Sequence, residues 1–187
     1  MEKTAFYSKW ILRISIIVAA IYDLFILRWV GIAGGLAIFL LTYFIDYINR
    51  DKRIIRDKLI AIFYIFCVFS LVMGVMLNFY DKISWWDLLM HFISGVLLGI
   101  FGNAMLNKIQ NGKKVELLTR FLFVIGIACI GGILWEIYEF TVDSIIGMDT
   151  QKVLFTGVSD TMGDLITNLL GAIITGAYFA KFDRSSR

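Results

Sequence analysis

Proline is absent from the 187 residues, histidine occurs once, and cysteine occurs twice. With no proline, no segment loses a backbone N–H, so uninterrupted helices are expected. Cys67 and Cys129 fall inside apolar runs and lack CxxC spacing. They read as two buried thiols with no disulfide between them. Charge is scarce as well. Asp, Glu, Lys and Arg make up 18% of the chain, against about 25% in soluble domains. Every polar connection is short, which leaves no room for a soluble domain. The first apolar segment is not followed by a small-residue cleavage pattern, so it is expected to be retained rather than removed as a signal peptide.

What remains is hydrocarbon. The chain is 59% hydrophobic and its mean hydropathy is +0.80. Several apolar runs approach the ~20 residues that cross a ~30 Å hydrocarbon core. The fold class is therefore all-α, a polytopic transmembrane helical bundle forming a single membrane domain over 1–187. The pattern predicts about six spans, at 11–28, 29–48, 59–80, 86–106, 117–140 and 161–180.

The cations set the expected orientation. Lys3, Lys9, Arg13, Arg50, Lys52, Arg53, Arg56, Lys58, Lys108, Lys113, Lys114, Arg120, Lys181, Arg184 and Arg187 fall on one side, fifteen of the 18 Lys and Arg. Arg28, Lys82 and Lys152 fall on the other. Both termini are thus expected in the cytoplasm of a multi-pass plasma-membrane protein. The net charge of +3 is spent on topology and on anionic headgroups, so the expected partners are membrane lipids and not nucleic acid. Tyr22-Asp23, Tyr80-Asp81 and Tyr138-Glu139 recur every 58 residues. This fits either three tandem helical hairpins or a shared preference of Tyr and acids for one interface.

The acids carry the functional signal. Asp87 and the sole histidine, His91, are four apart and share a helix face. Glu136 and Glu139 are three apart, with Asp143 four further on. Asp160, Asp164 and Asn168 repeat at four-residue spacing. All lie toward the expected extracytoplasmic ends of their spans, as does Asp23. Crowded carboxylates in a low-dielectric site must take up protons or bind a cation. Intramembrane acids mark ion pathways or functional sites. Asp87, His91, Glu136, Glu139, Asp160 and Asp164 form the candidate ligand set. Oxygens with one imidazole suit a divalent metal ion: Zn, Mn, Fe, Mg or Ca. A plainer reading also exists for some of them. Ser84 with Asp87, and Thr161 with Asp164, match helix capping boxes, and Asp160 can itself cap. Capping does not account for His91, Glu136 or Glu139.

The segments "WWDLLMHFISGVLLG", "ILWEIYEF" and "VSDTMGDLITNLLGAIITG" together resemble the YjdF-like family of bacterial membrane proteins. The pattern is D-x-x-x-H, E-x-x-E, then D-x-x-x-D before a Gly-Ala stretch, here Gly171-Ala172. The likeness runs over roughly 59–180, and the closing helix is also similar to that of VanZ-like proteins. It implies a bacterial membrane setting and singles out the same six residues, and it supplies no reaction.

Three functions stay open. One is a metal-dependent enzyme acting on a lipid or envelope substrate, with Glu139 as general base. The second is a proton- or cation-coupled transporter, for which Asn168 and Ser94 extend the polar stripe inward. The third is a non-catalytic structural or envelope-interaction protein.

Overall fold

The computed structural model describes residues 2–50 and 55–182. Lys52, Arg53, Arg184 and Arg187, counted above among the orienting cations, lie outside the described residues. Six helices are long and apolar enough to cross a membrane, and the described residues contain no strand. The helices group into two compact units, one running to Trp86 and the other starting at Asp87. Each unit holds three of the long helices.

In the first unit, α1 (Lys3–Phe25) and α2 (Trp29–Asn49) are joined by a tight turn. There Leu27 takes a left-handed backbone conformation. The third span starts as α3 (Asp57–Cys67) and continues as a π-helix over Val68–Met76. The expectation of uninterrupted α-helices fails here. A π segment needs no proline, only an extra residue accommodated in the ladder, so composition gives no warning of it. A short α4 (Phe79–Lys82) follows. Leu12, Ile16, Ala19, Ile45, Ile60, Tyr64, Val72 and Met76 form the core.

The second unit consists of α5 (Trp86–Gln110), α6 (Leu117–Ile146), a one-turn α7 (Val153–Thr156) and α8 (Ser159–Phe182). Glycine lets these helices approach closely. A Cβ at Gly95 of α5 would overlap the Asn168 carbonyl oxygen of α8. A Cβ at Gly171 of α8 would overlap the Phe92 carbonyl oxygen of α5. The long helices extend past several expected spans, chiefly at the start of α1 and the end of α6. Amphipathic turns there carry polar residues that a hydropathy window trims away. Thr161 stands inside the first turn of α8 and not ahead of it, so it does not occupy the cap position of the expected box.

Polarity is inside-out relative to a soluble protein. Large apolar side chains such as Val18, Leu40, Ile133 and Ile174 are exposed, while Asp23, Arg120, Asp164 and Asn168 are buried. This is the pattern expected when the solvent is lipid. Several cations that served above as orientation markers are buried within the protein. Lys9 and Arg13 are buried, and both reach Asp46, at 2.8 and 3.2 Å. The Arg13 Nε also donates to Thr42 at 2.8 Å, and its guanidinium lies 4.0 Å from the Tyr43 ring centroid. In the second unit, the fully buried Arg120 donates to the Asn103 and Asn107 side chains at 2.5 and 2.8 Å.

Candidate functional site

The site lies within the second unit, where the start of α5, the end of α6 and the start of α8 come together. The first turn of α5 presents Asp87, and His91 follows one turn later on the same face, with its Nε2 3.6 Å from Asp87 Oδ1. Facing it are Asp164 Oδ2 of α8 at 3.8 Å and Glu136 Oε1 of α6 at 3.9 Å. Asp87, His91 and Asp164 each offer one ligand atom, and these atoms all lie within 4.8 Å of one another. Such a group can close around one ion with modest side-chain movement, since metal–ligand bonds are about 2.0–2.2 Å for His and carboxylate donors.

Two observations make this more than a run of acids. Asp164 is 2% exposed and its Oδ1 has no hydrogen-bond partner. Glu136 is 6% exposed and its Oε1 is likewise without one. Buried carboxylate oxygens left without donors carry a large desolvation penalty. A cation placed among them would offset it.

The connection from α6 to α8 closes the pocket like a strap. The α6 helix ends at Gly147 in a left-handed conformation, and the Gly147 N–H donates to the Asp143 carbonyl at 2.9 Å. This is the usual glycine stop. The Asp143 carboxylate then accepts from the Thr150 N–H (2.8 Å), the Thr150 hydroxyl (2.7 Å) and the Gln151 N–H (3.0 Å). So pinned, Gln151 sends its amide nitrogen toward Glu136 Oε2 and the Thr161 hydroxyl, at 3.4 and 3.3 Å. Lys152 reaches Asp87 Oδ2 at 2.5 Å and Asp160 Oδ1 at 3.7 Å. Burial pulls the Lys152 ammonium down, but the hydrogen bond and charge of Asp87, with Asp160 and Asp164, outweigh it. Its pKa lies above the ordinary lysine value.

Of the six expected ligands, Asp87, His91, Glu136 and Asp164 face one another. Asp160 is turned to Lys152. Glu139 is half-buried and accepts from the Trp135 indole N–H at 2.9 Å, one turn back on its own helix. Asp143 serves the strap. Asp23 belongs to the first unit. The sequence marks Lys152 only as one of three cations on the side opposite the other fifteen, and gives no signal for Gln151. The role of Lys152 depends on a contact 65 residues away in the chain, and that of Gln151 on a loop folding back to Glu136 and Thr161, which no local spacing encodes.

Below the pocket, Asn168 lies 3.1 Å from the Ser94 hydroxyl. With its amide turned so that both ends are satisfied, it donates to the Ala128 carbonyl at 3.1 Å. Gly132 of α6 makes room for it, since a Cβ there would sit 2.8 Å from the Asn168 side-chain amide.

No solved structure matches the chain. An uncharacterized protein of Thermotoga maritima is 42% identical over 102 residues, 54% of this chain and 50% of that protein. The chain thus spans about half the length of the curated relative it matches. The sequence profile described as "Predicted membrane protein (DUF2238)" matches residues 8–185, and the chain accordingly belongs to the DUF2238 family of predicted membrane proteins.

Proposed function

We propose that this is a bacterial, YjdF-like plasma-membrane protein whose second unit binds a divalent metal ion on the extracytoplasmic side and uses it in hydrolysis of a lipid or envelope substrate. The observation that carries the reading is the convergence of Asp87, His91 and Asp164 beside buried carboxylate oxygens that lack donors. Three protein ligands leave coordination positions open, as catalytic metal sites do and structural ones do not. One imidazole among carboxylates favours Zn, Mn or Fe over Ca.

Glu136 is better placed than Glu139 to act as general base. Its Oε1 is 3.9 Å from His91 Nε2 and free of hydrogen bonds, whereas Glu139 is held by Trp135. In this scheme the ion supplies Lewis acidity. Glu136 takes a proton from the attacking water as its oxygen bonds to the substrate, then returns it to the leaving group. Lys152 holds Asp87 by one oxygen and leaves the other turned to the ligand set, the orienting role that outer partners play around metal ligands. The inward stripe of Ser94 and Asn168 favours cation transport as the second reading.

Elemental mass spectrometry of gently purified protein tests the proposal, with wild type beside His91→Ala. The expected result is near-stoichiometric metal in the wild type and its loss in the variant. No Zn, Mn, Fe, Mg or Ca in either, even after each is added back, would sink the metal reading. Turnover of a membrane lipid extract by the metal-loaded protein then separates an enzyme from a transporter.

A further inference from the structure

The first unit buries an acid that the metal pocket does not use. Asp23, one turn from the end of α1, is 0% exposed, and neither carboxyl oxygen has a hydrogen-bond partner among the described residues. Arg28 is the charged side chain whose field reaches it. The Arg28 guanidinium makes no hydrogen bond to it and donates through Nη1 to the carbonyls of Met76 at 3.0 Å and Val75 at 3.5 Å, at the end of the π-helix. Glycine at position 31 is what lets the carboxyl fit: any Cβ there would overlap Asp23 Oδ2.

Two helix ends act on this group in opposite senses. As a member of the last turn of α1, Asp23 meets the end of the macrodipole that repels anions. As a neighbour of the first turn of α2, it meets the end that attracts them. These opposed contributions are small beside the cost of an ionised carboxylate buried without a donor from the protein. Neutralisation must come from a bound cation. A metal ion needs several ligand atoms, and among the described residues Asp23 belongs to no group of three His, Cys, Asp or Glu side chains close enough to share an ion. A proton needs one oxygen only.

We infer that Asp23 is a proton-binding site of the first unit, separate from the pocket of the second. Its occupancy does not depend on the metal reading. The carboxyl is held neutral while α1, α2 and the π segment are packed as described. Any motion that admits water at Gly31 would let the proton leave, so the unit carries a proton-linked step of its own.

The test is solid-state NMR on the full chain in lipid bilayers, with 13C at the aspartate side-chain carboxyl carbon. The difference from Asp23→Asn assigns the signal. Should that variant not fold, Asp23→Glu, which removes the label from position 23, assigns it instead. The expected result is a neutral-acid signal for Asp23 at pH 7, unchanged by sodium. A carboxylate signal at pH 7 overturns the inference, as does conversion to carboxylate on adding sodium, which would make this a sodium site.

Discussion

In the first unit two buried cations, Lys9 and Arg13, share one carboxylate, Asp46. In the second, one part-buried cation, Lys152, faces Asp87 and Asp160, with Glu136 and Asp164 close behind. The first arrangement is closed: its charges are paired, its guanidinium stacks on an aromatic ring, and Thr42 takes a remaining N–H. The second is open, with oxygens left over and no donors for them. A polar cluster that exists only to hold helices together has every reason to satisfy itself, as the first does. The second leaves buried acceptors unserved, and it is on them that the proposed metal site rests.

The comparison can be broken or sharpened in order of expected effect. The largest belongs to the open cluster. His91→Ala should weaken metal binding more than 100-fold, about 2.7 kcal/mol, measured by titration of the stripped protein. Asp46→Asn, in the closed cluster, should leave that affinity unchanged. Its own effect is on stability. It strands Lys9 and Arg13 in the interior and should cost about 2–3 kcal/mol, less than the usual penalty for breaking a buried pair because the Asp46 carboxyl is part-exposed. Thermal unfolding of the two variants side by side reads the contrast directly. Were Asp46→Asn to lose metal as His91→Ala does, the separation of roles would fail.

How much of this was legible in the sequence follows from the range of the interactions. The helices were legible, because hydropathy over some twenty residues is a local property. The pairing of Asp87 with His91 was too, because four-residue spacing fixes a shared face. Lys152 could not be assigned to Asp87, because that contact depends on how a strap pinned by Asp143 folds back over α5. Nor could Lys9, Arg13 and Arg120 be told from solvated topology markers. A cation near a span end has the same sequence signature whether it meets headgroups or a buried asparagine. The π-helix left no trace, since Val68–Met76 reads as an ordinary apolar run.

Two smaller effects complete the series. Gly171→Ala should cost about 1–3 kcal/mol by forcing α5 and α8 apart, and should weaken metal binding along with stability. Ser84 lies two residues ahead of α5 and does not occupy its cap position, so Ser84→Ala should leave stability and binding close to wild type, whereas Asp87→Ala should impair both. Smallest of all is a pH effect at Lys152. Its pKa is raised in the folded protein, so the stability its pair contributes is fully present below the unfolded value of about 10.4. It is lost as pH rises through the folded value. A spin label at Val153 should therefore report an immobile strap from pH 6 to 9 and a mobile one only in stronger base. Loosening near neutrality would contradict the strap geometry.

The close crossing of α5 and α8 at Gly95 and Gly171 has a mechanical consequence. Where two helices meet with no side chain between them, the crossing acts as the rivet of a pair of shears. His91 lies four residues from Gly95, and Asp164 seven from Gly171, so the blades beyond the rivet are about 6 and 10 Å long. A rotation of some 10° about the crossing would separate their tips by only about 1–2 Å. That is little for a helix and much for a coordination bond. The geometry thus gears a small tilt within the bilayer to a large change in how tightly Asp87, His91 and Asp164 can close on whatever they hold.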